Sequence, residues 1–208
     1  MGSLSAGRDR LRAVGRRKRF APGDRLLGAG DPSEEVMLVE SGLTKVVLLT
    51  PDSGPTVAGL VGPGELIGES GVIHGAPRSA SIEALTEVHV VLVAASVFLR
   101  LRATVPDIGE LVDETWREQR RRADLHRVNA ARDVPTRVHE TLRHWALRFG
   151  SHTREGLLLR GPSQHDLALA VGASRQHVDS ALSRLRAEGV LKTDRRQFLF
   201  LGEIHRSP

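Results

Sequence analysis

Ser163-Gln164-His165-Asp166-Leu167-Ala168-Leu169-Ala170-Val171-Gly172-Ala173-Ser174-Arg175-Gln176-His177-Val178-Asp179-Ser180-Ala181-Leu182-Ser183-Arg184-Leu185 reads as two short helices separated by one sharp turn. Ser163 and Ser174 each stand where a hydroxyl can accept a hydrogen bond from an orphan backbone N–H and so begin a helix. Gly172 lies between them, where the chain must turn and a residue without Cβ does so at least cost. Leu167, Ala168, Val171, Val178, Ala181, Leu182 and Leu185 recur at helical spacing and close a small core. Arg175, Gln176, Asp179, Ser180 and Arg184 are left on the outer face of the second helix. An Arg fork pairs with guanine O6 and N7, and Gln with adenine N6 and N7, so this face suits the major groove of DNA. Ser163, Gln164 and Ser174 complete the candidate contacts at the helix starts, while Arg184, Arg186, Lys192, Arg195 and Arg196 are candidates for phosphates, which fix register without carrying sequence information.

Outward from this stretch, Val190 to Ile204 alternates as a β-hairpin does, with Asp194-Arg195-Arg196-Gln197 at its tip. On the amino-terminal side, Val138, Leu142, Trp145, Ala146 and Phe149 form one apolar face of a helix that ends near Gly150. Asp133-Val134-Pro135-Thr136 separates that helix from a longer one, because Pro lacks an N–H and disfavours helical geometry in the residue before it. The longer helix runs from Pro106 to Ala131. About 25 residues span roughly 38 Å, more than a small domain needs, so a second copy of the chain is the expected partner. Ile108, Leu111 and Thr115 would open the seam, which continues through the polar Gln119, Arg122, His126 and Asn129. Between Phe20 and Leu101 the pattern is all-β: short apolar runs such as Val36-Met37-Leu38-Val39 and Thr44 to Leu49, punctuated at Pro22-Gly23-Asp24, Asp52-Ser53-Gly54-Pro55 and Gly62-Pro63-Gly64. The expected fold is therefore α+β in three segments: a β-roll over 1–104, a dimerisation helix over 105–132 and a winged helix-turn-helix over 133–208.

Composition narrows the function. In 208 residues the net charge is +5, and Arg far outnumbers Lys, which favours a polyanionic partner, nucleic acid before an acidic membrane surface. There is no Cys, which excludes disulfides, thiolate catalysis and iron-sulfur clusters held by Cys. No run approaches about 18 uninterrupted apolar residues, and the start lacks an apolar signal core, so a cytoplasmic location without membrane contact is expected. Gly68-Glu69-Ser70-Gly71 has the wrong spacing for the G-x-S-x-G nucleophile turn. The nine His are scattered without metal-ligand spacing, His74 being the only loose candidate for haem in the roll. Neither an enzyme nor a metal site is expected.

With these residues in hand, the chain resembles the Crp-Fnr family of bacterial transcription regulators. Gly30-Asp31 with Val36 to Gly42 resembles the family's first roll strands, and Gly64-Glu65-Leu66-Ile67-Gly68-Glu69 with Arg78-Ser79-Ala80 its phosphate-binding cassette. The helix-turn-helix matches in spacing. The resemblance implies a homodimeric, sequence-specific DNA-binding regulator on a pseudo-palindromic operator, with RNA polymerase as a further partner. It also implies an effector site at Gly68, Glu69, Arg78 and Ser79 for cyclic AMP or another cyclic nucleotide. Gly68 would let backbone N–H groups approach a phosphate, Arg78 would supply a bidentate cation, and Glu69 would accept from a ribose hydroxyl. A structural Glu69–Arg78 ion pair is the plainer alternative. Where cyclic-AMP-binding members present a Thr-Ser pair from the long helix, the aligned residues here are Arg122 and Ala123, and Arg122 can stack on a purine or reach a different ligand. In the recognition helix Gln176 replaces the usual Glu and Ser180 an Arg. The second functional reading is a regulator of the same fold that senses a non-nucleotide effector, or none.

Overall fold

The computed structural model describes residues 2–50 and 54–202. In chain order the elements are α1 (Gly2–Val14), β1 (Arg16–Phe20), β2 (Arg25–Leu27), β3 (Glu35–Ser41), β4 (Thr44–Thr50), β5 (Gly54–Val61), β6 (Leu66–Ile67), α2 (Glu69–His74), β7 (Ser81–Ala84), β8 (Val88–Ala94), α3 (Ala95–Thr104) and α4 (Pro106–Ala130). They are followed by α5 (Val134–Phe149), β9 (Ser151–His152), β10 (Gly156–Arg160), α6 (Gln164–Val171), α7 (Arg175–Ala187), β11 (Leu191–Asp194) and β12 (Gln197–Leu201). The chain divides into two compact units, one drawn from residues up to 49 and from 59–123, the other from 50–58 and from 124 onward. Asp52, Ser53 and Ile204 of the expected turn and hairpin lie outside the described residues.

The first unit is built on two four-stranded sheets, ordered β1-β8-β3-β6 and β2-β7-β4-β5. Successive side chains of a strand point to opposite faces. On β3 and β8 both faces are buried: Met37, Val39, Val90 and Leu92 meet the second sheet, while Val36, Leu38, Val91 and Val93 meet a helical layer. Two-sided burial explains why Val36 to Val39 is an unbroken apolar run rather than an alternating one.

That helical layer corrects one expectation. Ile108, Leu111 and Val112 of α4 pack with Leu11 of α1 and Phe98 of α3 onto the chain's own sheet. The apolar stripe predicted to face a second copy is therefore spent within the chain, where each fully buried aliphatic side chain contributes roughly 1.5–3 kcal/mol. Helix α1 was not anticipated. Its sequence is rich in Arg and carries a single fully buried aliphatic, Leu11, and its place is fixed by distant partners: Arg8 Nε donates to the Gly64 carbonyl at 2.9 Å and Arg12 pairs with Glu40 at 3.0 Å.

In the second unit, Asp133 caps α5 by accepting from Thr136 N, with Pro135 in the first turn where a missing N–H costs nothing. Val138, Leu142, Trp145 and Ala146 are buried, as the helical spacing predicts. The hairpin β11-β12 forms with Asp194 opposite Gln197. The structure adds β10 and β9 to it, giving the sheet order β11-β12-β10-β9.

Candidate DNA-binding and effector sites

Local chemistry fixes the helix-turn-helix. The Ser163 side chain accepts from Asp166 N while Asp166 accepts from Ser163 N at 2.8 Å, a reciprocal capping box. Ser163 Oγ also donates to Asp166 Oδ2 at 2.6 Å. Helix α6 ends at Gly172, whose φ of 60° and ψ of 46° are left-handed and favour a residue without Cβ. Ser174 then caps α7 by accepting from His177 N. The predicted core is in place, with Leu167, Ala168, Val171, Val178, Ala181 and Leu182 buried and Leu185 half-buried.

Arg175, Gln176, Ser180 and Arg184 are all exposed on α7, and Gln164 is half-buried at the start of α6. Arg184 is tethered by an ion pair with Glu188 at 2.7 Å, and that hydrogen bond holds its pKa above the usual guanidinium value. Arg186, exposed beside it, donates to Thr193 Oγ1 at 2.9 Å and staples α7 to the hairpin. At the hairpin tip Arg195 is exposed, whereas Arg196 has a φ of 56° and donates through Nε to the Gly161 carbonyl at 2.7 Å. Gly161 N returns the bond to the Arg196 carbonyl at 3.0 Å. Ser163 holds the scaffold as the expected cap, and Arg196 also holds it, a role that the sequence did not indicate.

In the roll, Gly68 precedes α2 with φ 82°, and a Cβ there would stand 2.4 Å from Nη1 of Arg78. Arg78 is buried. It donates through Nη1 to the Gly68 carbonyl at 2.6 Å and through Nη2 to the Glu35 carbonyl at 2.6 Å. Its Nε is buried without a partner. Burial lowers its pKa, against the pull of Glu35, Glu69, Asp31 and Glu34. Glu69 is only 1% exposed. It accepts from Gln119 Nε2 at 2.9 Å and bonds Trp116, yet burial dominates and holds its carboxyl above the usual carboxylate range. The direct Glu69–Arg78 ion pair weighed as the alternative does not form: each side chain bonds elsewhere. Ser79 is exposed next to Arg78.

Arg122 is brought to the same unit by α4. It forms an ion pair with Glu65, and its Nε lies 3.7 Å from Glu118. Sequence reasoning assigned none of Glu65, Glu118, Gln119 and Trp116 a bond to the effector-site residues. The one available signal was spacing, since Gln119 and Arg122 lie three apart and share a helix face.

A "Cyclic nucleotide-binding domain" family description matches residues 17–105, and a "Crp-like helix-turn-helix domain" matches residues 136–202. The chain is 30% identical over 187 residues to the CRP-like cAMP-activated global transcriptional regulator of Mycobacterium tuberculosis, covering 86% of this chain and 81% of the relative. It is 28% identical over 181 residues to the Cyclic AMP receptor protein of Thermus thermophilus, covering 85% and 79%. Among solved structures, the c-di-GMP-responsive global regulator CLP of Xanthomonas campestris is similar at 25% identity and TM-score 0.75, over 95% of this chain and 99% of that one.

Proposed function

Because the chain belongs to the Crp-like family of cyclic-nucleotide-binding transcription regulators, a family of DNA-binding regulators rather than enzymes, we propose that it reads its operator with Arg175, Gln176, Ser180 and Arg184. The carrying observation is the exposed outer face of α7 on a doubly capped scaffold: Arg175 and Gln176 are turned to solvent with no side-chain partner among the described residues. Arg175 donates to a guanine, and Gln176 and Ser180 set the neighbouring base preferences. Arg195 takes a phosphate, with Arg196, Gln164 and the helix caps at Ser163 and Ser174 positioning the same edge. Two copies bind a pseudo-palindromic site in the cytoplasm, and RNA polymerase is the downstream partner. The three segments 1–104, 105–132 and 133–208 are the working division of these tasks.

The effector reading rests on Gly68, Glu69, Arg78 and Ser79. The residues fit a cyclic nucleotide. Arg78 keeps an orphaned buried Nε donor for an anion, Gly68 leaves the room that the Arg78 guanidinium occupies, and Glu69 offers a carboxyl to a ribose hydroxyl. Cyclic AMP is the effector that the named relatives suggest, and its differential binding to two arrangements of the protein would shift their populations. The test is a gel shift with genomic fragments, with and without cyclic nucleotide. Nucleotide-dependent retardation lost in Arg78→Ala is the expected result. Equal retardation in every lane would replace effector control with the effector-independent reading.

A further inference from the structure

Resting on the reading that Arg78 and Glu69 hold the phosphate and ribose of a cyclic nucleotide, we infer that Arg122 reads the base and selects guanine over adenine. The placement comes from α4. Gln119 reaches Glu69 at 2.9 Å, and Arg122 follows it by three residues on the same helix face, a rise of about 4.5 Å. Its stem crosses the strand β5, where a Cβ on Gly59 would lie 3.0 Å from Arg122 Cδ. The carboxyl assigned to the ribose is therefore held by one turn of α4, and Arg122 lies on the same face one turn further along.

The guanidinium is held as a reader rather than left as a mobile surface charge. Its side chain is 11% exposed. Glu65 takes Nη2, and Glu118 lies 3.7 Å from Nε. Glu65 is itself fixed, because its second oxygen accepts from Gly62 N at 2.8 Å. The two carboxylates thus orient the plane of the fork from one side, and Nη1 has no partner among the described residues, so Nη1 and the second Nη2 hydrogen remain to donate. Guanine presents two adjacent acceptors, O6 and N7, to such a fork. Adenine presents N7 beside the N6 amino group, which would set donor against donor and leave a buried charged N–H unsatisfied. Recognition of this kind discriminates mainly by leaving the wrong ligand's polar groups unpaired. The same guanine edge is offered by cyclic GMP and by cyclic di-GMP.

Calorimetry on the full chain separates these cases. Cyclic GMP and cyclic IMP, which share O6 and N7 and differ only in the 2-amino group, are expected to bind at least about tenfold more tightly than cyclic AMP. Cyclic di-GMP binding more tightly than cyclic GMP would assign the dinucleotide as the source of the base, and the reverse order the mononucleotide; either supports the inference. Arg122→Ala and Arg122→Lys should both bring the ratio to near one, since Lys keeps the charge but not the fork. Melting curves would establish that these variants fold, and the comparison among ligands needs only the unmodified protein. Cyclic AMP binding as tightly as cyclic GMP, or a guanine preference untouched by Arg122→Ala, would overturn the inference. If all nucleotides bind equally and Arg78→Ala abolishes them together, base selection by Arg122 falls while the effector pocket stands. If none binds, both fall.

Discussion

Glu69 is a carboxyl removed from water, and its ionisation is linked to the stability of the roll. Burial raises its folded-state pKa above the ordinary value, outweighing the bonds from Gln119 and Trp116 and the attraction of Arg78. A carboxyl raised in this way favours the folded state while it is protonated. That contribution is complete below the unfolded pKa and is lost as pH rises through the folded one. Urea unfolding at stepped pH should therefore show wild-type stability falling relative to Glu69→Gln from the ordinary carboxylate range upward. Wild-type stability that held steady or rose relative to Glu69→Gln over that range would contradict the assignment. The family resemblance grouped residues 68, 69, 78 and 79, but the bonds that Arg78 and Glu69 make were not legible: Arg78 meets the carbonyls of Gly68 and Glu35, and Glu69 meets Gln119 fifty residues away.

Helix α7 separates base readout from anchoring within one element. Arg175 stands at its first turn, exposed, so Arg175→Ala should reduce the preference for operator over random DNA by roughly 1–3 kcal/mol per half-site contact. Arg195→Ala, at the hairpin tip, should instead weaken all sequences alike and lower the salt slope by about one. Titrations of operator and random duplexes at several salt concentrations measure both quantities. An unchanged specificity ratio in Arg175→Ala would remove α7 from the groove. Both helices of the motif were legible to the residue because their signals are local: a Ser at each start and a Gly at the turn act over three or four positions. The strands β9 and β10 were missed for the opposite reason. Gly156–Arg160 is short and pairs with β12 about forty residues on, so its own sequence carries little of what makes it a strand.

At the scale of the molecule, a regulator of this family that acts as a dimer presents two recognition helices to successive major grooves. Footprinting should show two protected half-sites roughly 34 Å apart with inverted sequence. Protection of a single half-site at saturating protein would exclude the paired arrangement. The seam is not the one the periodicity suggested, since Ile108 and Leu111 are buried against the roll of their own chain. The outer side of α4 is mostly charged, with Asp113, Arg117, Arg120, Asp124 and Arg127 exposed, and its exposed large apolar side chain is Val128, 56% exposed.

From sequence alone came the order of roll, long helix and winged helix-turn-helix, the two capped helices and the short apolar runs that become strands, because periodicity, capping and turn chemistry are written within a few residues of where they act. Periodicity announces that a face will be buried but not against what, so the partner of the α4 stripe and the very presence of α1 were settled only by packing. The pairing of Arg122 with Glu65, 57 residues apart, belongs to the same class. Burying a guanidinium demands acceptors for its N–H groups, but only the folded chain chooses which ones arrive.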